Sequence, residues 1–186
     1  VRSATEESYI GQVRNCFVAG TFNRFDKNEV TELPNAADVT ALDIYIDNEL
    51  FSMEKGEVRD YHRTPNLKTG ELEREFEWVN PVGKTFKFQF RRFVSFTDIH
   101  ALAAKIKITP LNRDAEIKIV SGINGQITNS GSQHFQEGER RVFDRQFVRL
   151  VQKTTQSEIT FIHHTGHHVE CQDEPVASRF AMERRK

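Results

Sequence analysis

From Leu72 to Arg91 mostly apolar and mostly polar positions alternate on either side of the tetrapeptide Asn80-Pro81-Val82-Gly83. Leu72, Phe76 and Trp78 alternate with Glu73, Glu75 and Glu77, and Phe86, Phe88 and Phe90 alternate with Lys87, Gln89 and Arg91. Period two is the strand period, so both runs are half-buried strands. Pro81 has the fixed φ that a type I turn wants at its second position. Gly83 follows where a left-handed residue is needed, which predicts a three-residue hairpin loop with a bulge. If Asn80 and Lys84 close that loop, Trp78 faces Phe86, Phe76 faces Phe88, Glu77 faces Lys87, Glu75 faces Gln89 and Glu73 faces Arg91. Apolar residues then meet apolar ones on one face, and opposite charges meet on the other. A buried aromatic contributes roughly 1.5–3 kcal/mol and an exposed ion pair about 0–1, so the Phe/Trp face sets the pairing.

The same period recurs along the chain. Leu42, Ile44 and Ile46 lead into Asp47-Asn48, two residues that tolerate the φ > 0 of a tight turn. Leu102, Ala104, Ile106 and Ile108 alternate with lysines, and Ile117 with Ile119 and Ile159 with Phe161 continue the theme. Asn124-Gly125 reads as a hairpin turn, Asp98-Ile99-His100 as the start of a strand, and residues 137–150 as a polar loop entering a strand at Phe143. No long amphipathic helix is visible. Roughly nine or ten antiparallel strands must fold over or pair as two sheets to bury their apolar faces. Periodicity alone leaves sandwich or barrel open.

The 186 residues suit one domain, spanning 1–186, with a sizeable core. Fifteen Phe against one Trp and three Tyr favour a packed β core. A formal net charge of −1 gives no field to attract polyanions, which argues against a nucleic-acid partner. No apolar run approaches the roughly 18 residues of a membrane helix, so no membrane partner is expected. No basic and apolar leader opens the sequence, and Cys16 and Cys171 are too few for a disulfide framework. A cytoplasmic location is the simplest expectation.

Candidate chemistry is sparse. His163-His164-Thr165-Gly166-His167-His168 suggests a transition metal, but a two-residue turn at Thr165-Gly166 would put two imidazoles on each face, half a site apiece. Glu170 and Cys171 have no evident claim to complete it. Glu73, Glu75 and Glu77 invoke the carboxylate pair of a glycosidase, yet their alternation opposite cations reads as a solvated strand face. His100 after Asp98 reads as structural. Ser121-Gly122-Ile123-Asn124-Gly125 lacks the Gly-Lys-Ser/Thr ending of a phosphate loop. No catalytic, cofactor-binding or metal residue is assigned, and no cofactor is expected.

The stretch from Phe90 to Phe135, FRRFVSFTDIHALAAKIKITPLNRDAEIKIVSGINGQITNSGSQHF, is flanked in order by NCFVAGTFNRF, VTELPN and LKTGELEREFEW upstream and VASRFAMERRK downstream. Together these segments resemble the N-terminal β-sandwich domain of glycoside hydrolase family 65, which comprises phosphorylases and hydrolases of α-linked glucose disaccharides such as maltose, kojibiose and trehalose. The resemblance covers nearly the whole chain. It implies an antiparallel all-β sandwich of the galactose mutarotase-like "supersandwich" type, beginning before Val1 and continuing after Lys186. It also implies a noncatalytic role, because the family's general acid and phosphate-binding residues belong to an (α/α) six-fold barrel outside this sequence. Inorganic phosphate would be a co-substrate of the parent enzyme, and an α-glucoside its substrate. The polar loop Ala19–Asn35 is then the candidate interface with that barrel, through Phe25, Glu32, Leu33, Pro34 and Asn35, with the 121–135 segment a weaker one. Lost neighbouring strands would leave open edges, so a homo-oligomer is expected. Two alternatives stand beside this reading. One is a sugar epimerase, needing a His and a Glu converging on a concave face. The other is a carbohydrate-binding module, needing an exposed Trp or Tyr.

Overall fold

The computed structural model describes residues 15–144, 146–177 and 179–180, and none of them is helical. Among the described residues twelve strands follow one another: β1 (Asp38–Ile46), β2 (Glu49–Leu50), β3 (Glu57–Asn66), β4 (Glu71–Val79), β5 (Thr85–Val94), β6 (Leu102–Pro110), β7 (Ile117–Asn124), β8 (Phe135–Phe143), β9 (Phe147–Thr154), β10 (Thr160–Gly166), β11 (Glu170–Cys171) and β12 (Glu174–Pro175). They form sheets ordered β2-β1-β7, β3-β4-β5-β6, β10-β9-β8 and β11-β12. The fold is the antiparallel all-β sandwich that the resemblance implies, with no closed barrel among the described residues. Contacts divide the chain into two compact units. Of the described residues, 15–42 and 120 onward make one, and Asp43–Ile119 the other.

In the second unit the predicted hairpin stands in its predicted register. Trp78 pairs with Phe86, Phe76 with Phe88, Glu77 with Lys87, Glu75 with Gln89 and Glu73 with Arg91. Gly83 is left-handed at φ 80°, and the Asn80 and Lys84 backbones close the loop at 2.9 Å. The Asn80 side chain also accepts the amides of Val82 and Lys84, fixing the turn from inside. On the inner face Phe76, Phe86, Phe88 and Phe90 are buried, and Phe51, just after β2, stacks on Phe76 and Phe88. Its ring lies 4.4 Å from Phe88 and edge-on to Trp78 at 4.9 Å. The buried indole N–H donates to the Lys55 carbonyl at 2.7 Å, so the aromatic contributes its area without stranding a donor. On the outer face Glu75 pairs with Lys87 at 2.7 Å and accepts from Gln89, and Glu73 pairs with Arg91 at 3.0 Å. The Lys87 hydrogen bond, aided by Gln89, holds the Glu75 carboxyl below its usual range. Asp47 and Asn48 make the tight turn between β1 and β2, at φ 51° and 67°. Asp47 then takes the Lys84 ammonium at 2.6 Å, which lowers its carboxyl in turn.

Four local expectations are corrected. Residues 137–143 are strand, not loop: β8 ends at Phe143, and the chain turns before β9. A register shift between Glu137 and Arg140 interrupts the alternation, which is why the segment does not read as period two. Asn124-Gly125 is not a hairpin turn. The tight turn falls at Ser130-Gly131, closed by Asn129 and Ser132, while Gly125 is where β9 comes close. A Cβ there would lie 2.6 Å from Leu150, and the Gly125 carbonyl accepts from Gln152 at 2.9 Å. Asp98-Ile99-His100 lies in the loop before β6 rather than in the strand, with the His100 amide capped by the Asp98 carboxylate at 3.0 Å. Thr165-Gly166 is not a turn but the end of β10, paired with Val148 and Phe147.

Candidate functional site

The segment from Asn15 to Ala36 has almost no regular structure, yet it is tied to its own unit at two points. The first is Asn35. Its carbonyl oxygen accepts the Cys16 amide at 2.8 Å, its side-chain N–H₂ donates to Asn15 at 2.9 Å, and its backbone N–H donates to Asn129 at 2.6 Å. Asn129 donates back to the Leu33 carbonyl at 2.8 Å. Pro34, Asn35 and Ala36 are buried, and Ala36 joins Cys16, Phe135 and Phe161 in a small core with Ile159 against it. Burial pushes the Cys16 thiol up, as it does for a thiol acting as a small apolar side chain.

The second tie is Asn23, which is 1% exposed. Its backbone exchanges hydrogen bonds with Glu32 at 2.9 and 3.0 Å, closing residues 24–31 into a small lobe. The Asn23 carbonyl oxygen accepts the amides of Gln156 and Ser157 at 3.1 and 3.0 Å, which fixes the way the side-chain amide faces. Its N–H₂ therefore points at Thr155 Oγ1 at 3.0 Å and at His134 Nδ1 at 2.9 Å. With Nδ1 accepting, the proton sits on Nε2, which donates to Glu32 Oε1 at 3.0 Å. Phe25 closes the group edge-on to the imidazole at 6.2 Å.

Anchored in this way, the lobe presents Phe25 and Val30 to solvent, and Phe22, just before Asn23, is exposed as well. Of the five interface residues expected from the sequence, Phe25 and Glu32 reach solvent, Leu33 is half-buried, and Pro34 and Asn35 are buried within their own unit. The sequence singles out none of Phe22, Asn23, Asn129 or His134 within the two candidate segments, because nothing in a polar loop shows which amide will meet a histidine more than a hundred residues on.

His134 with Glu32 is the convergent pair an epimerase would need, but the imidazole is 1% exposed and both its nitrogens are occupied. A substrate proton has no path to it. Trp78, the single tryptophan, is buried, so it offers no sugar platform. The four clustered histidines separate. His163 stacks on Phe161, and burial, then the neighbouring His164, lower its basicity. His164 lies edge-on to Phe143, His167 Nε2 meets Ser121 Oγ at 2.8 Å, and His168 meets Glu170 at 2.9 Å. Among the described residues no three His, Cys, Asp or Glu side chains converge as metal ligands would. Cys16 and Cys171 are both free thiols, and no helix is long and apolar enough to cross a membrane.

A family model described as "Glycosyl hydrolase family 65, N-terminal domain" matches residues 1–185. A kojibiose phosphorylase of Halothermothrix orenii is 46% identical over 86% of this chain and 20% of its own length. A kojibiose phosphorylase of Escherichia coli K12 is 36% identical over 80% of the chain and 19% of its own length. Among solved structures, one from the human microbiome provisionally named a kojibiose phosphorylase superposes with a TM-score of 0.74. It does so at 15% identity, over 90% of this chain and 25% of that one. The chain therefore spans about a fifth of the length of the curated relatives it matches.

Proposed function

The chain belongs to the N-terminal domain family of glycosyl hydrolase family 65, and from that we propose that residues 1–186 serve as one noncatalytic domain of a cytoplasmic phosphorylase of α-linked glucosides. Kojibiose is the favoured substrate, because two kojibiose phosphorylases share 46% and 36% identity with the chain. The parent enzyme would cleave its glycosidic bond with inorganic phosphate as co-substrate, in a catalytic barrel outside these residues. The role of this domain is support, and the loop from Asn15 to Ala36 is its contact with that barrel.

One observation carries the reading. A loop fixed by buried hydrogen bonds at Asn23 and Asn35 holds Phe22, Phe25 and Val30 in solvent. Ordering a loop costs about 1–2 kcal/mol per residue of backbone entropy, so rigid support under exposed aromatics fits a preorganised contact better than a passive linker. A full-length enzyme carrying Phe22→Ser and Phe25→Ser tests it. The expected result is a lower melting temperature for the catalytic part and a reduced rate of phosphorolysis, with the β-sheet circular dichroism retained. Unchanged activity and melting would overturn the assignment of this loop.

A further inference from the structure

His134 stands between the two ends of the lobe and bonds to both. Nδ1 accepts from the Asn23 side-chain N–H₂ at 2.9 Å, and Nε2 donates to Glu32 Oε1 at 3.0 Å. Asn23 and Glu32 are also the residues whose backbones pair to close residues 24–31. The histidine itself belongs to the frame: its carbonyl accepts the Thr155 amide at 2.9 Å, and Phe135 after it begins β8. Only one protonation form of an imidazole suits this seat. The neutral ring with its proton on Nε2 offers an acceptor to Asn23 and a donor to Glu32. The imidazolium offers two donors, so its Nδ1–H would meet the Asn23 N–H₂ head-on. Turning the amide over does not relieve that clash without loss. Its oxygen already holds the amides of Gln156 and Ser157, and the Ser157 hydroxyl at 3.2 Å.

We propose that His134 is an acid-released catch for the 24–31 lobe: it holds Asn23 and Glu32 in place only while Nδ1 is bare, and a proton taken there from solvent frees the Asn23 end. Among the described residues the charged group set against the imidazole is Glu32, whose negative charge favours the added proton. Its side chain is 43% exposed, so water screens that attraction, whereas the opposing contact with Asn23 is buried. Within the lobe, Arg24 is engaged by the Lys27 carbonyl and Thr31, and Asp26 by the Asn28 amide. After β9, Thr155, Gln156 and Ser157 are neutral, and Glu158 pairs with Lys153 at 3.3 Å. Gln133 and Phe135, on either side of His134, are neutral too. Linkage sets the sign. The closed lobe admits only the neutral ring and the open lobe admits both forms, so acid favours opening. An imidazole freed from the amide takes its proton near the ordinary value of about 6.5. Closure is therefore complete above that pH and is lost as pH falls below it. The frame stays, because β8 and β9 remain paired. The lobe that carries Phe25 and Val30 is thus fixed at neutral pH and loose in mild acid. The catch is local to these residues and does not rest on the proposed function.

Hydrogen–deuterium exchange of the full-length enzyme at about pH 7.5 and about pH 5.5, corrected for the intrinsic pH dependence of amide exchange, tests this. The reporters are the Asn23 and Glu32 amides in the lobe and the Gln156 and Ser157 amides that Asn23 holds. Their protection should fall by about tenfold at the lower pH, the change that one pH unit below the free imidazole value allows. Residues 148–153 of β9 should change less. An equal loss in both places would be the general acid sensitivity of the unit, to which His163 and His167 contribute, and would overturn the inference. Unchanged protection would overturn it as well. Asn23→Asp gives a reading of opposite sign. Its carboxylate keeps acceptors for Gln156 and Ser157 and also accepts the Nδ1–H of the imidazolium, so protection in this variant should rise on acidification. A fall like that of the unsubstituted enzyme counts against the catch. The readout needs no catalysis: a full-length protein that cleaves no α-glucoside would defeat the proposed function and leave this result standing.

Discussion

Asn23 and His134 stand 111 positions apart in the chain, and their side chains meet at 2.9 Å in a place almost free of solvent. The contact is directional at both ends. Two backbone amides orient the asparagine, and the asparagine then sets the imidazole tautomer that Glu32 reads. A hydrogen bond of this kind contributes only about 0.5–1.5 kcal/mol net, but leaving a buried donor or acceptor unmet costs about 1–3.

Asn23→Ala should therefore destabilise the chain by about 2–4 kcal/mol in urea unfolding, because several buried groups lose their partner together. Asn23→Asp should be nearly as harmful, since it replaces the donor facing His134 Nδ1 with an acceptor. A loss under 1 kcal/mol in both would mean that the amide is replaceable by water.

The aromatic face and the charged face of the β4–β5 hairpin should differ sharply. Phe88→Ala removes a fully buried ring and is expected to cost about 3–5 kcal/mol. Glu73→Gln breaks an exposed pair with Arg91 and should cost no more than about 1. Equal losses would contradict the view that ring burial sets the register.

Gly56 and Gly70 both have positive φ, but only Gly56 is crowded: a Cβ there would sit 2.3 Å from the Val79 carbonyl oxygen. Gly70→Ala should cost about 1–2 kcal/mol, from the left-handed backbone alone. Gly56→Ala should cost about 2–4, because the β3–β4 pairing must also shift. Thermal melts of the two variants rank them directly.

The histidines predict a pH dependence of definite sign. Burial lowers His163 and His167 below the ordinary imidazole value, so between their folded values and about 6.5 the unfolded chain binds more protons than the folded one. Their contribution is complete above that range and is lost as pH falls through it. Unfolding free energy should hold steady above pH 7 and decline from there toward pH 5.5, and His163→Phe should flatten part of the decline. Stability that rises on acidification would refute the assignment.

The 186-residue chain alone should release neither glucose nor glucose 1-phosphate from kojibiose, maltose or trehalose, with or without phosphate. Product above a buffer blank would place catalytic groups within these residues.

What was legible in the sequence was what period and turn chemistry dictate locally. Phe86, Phe88 and Phe90 against Trp78 and Phe76 fix a register through burial, and Asn80 to Gly83 fixes it again through φ, so both levels agree. Residues 137–143 were illegible as a strand because the irregularity after Glu137 breaks the period and most of the segment is polar. Thr165-Gly166 has turn-like composition for a different reason: Gly166 lies against the Phe147 ring, where a Cβ would come within 2.7 Å. The site was the least legible part. The resemblance singled out the loop from Ala19 to Asn35, but Asn23, Asn35 and His134 acquire their partners only from segments distant in sequence, and no local pattern encodes such a meeting.

That distance has a consequence for synthesis. Asn23 can close its hydrogen bonds only once Ser157, 134 residues further on, has been made. At about 5–20 residues per second the wait is roughly 7–27 s, before counting the length of chain still inside the ribosome. During that interval Phe22, Phe25 and Val30 sit on a polar loop that is not yet anchored. The anchoring of this loop thus waits on distant residues, and its exposed aromatics stay unsupported for as long as the second half of the chain is missing.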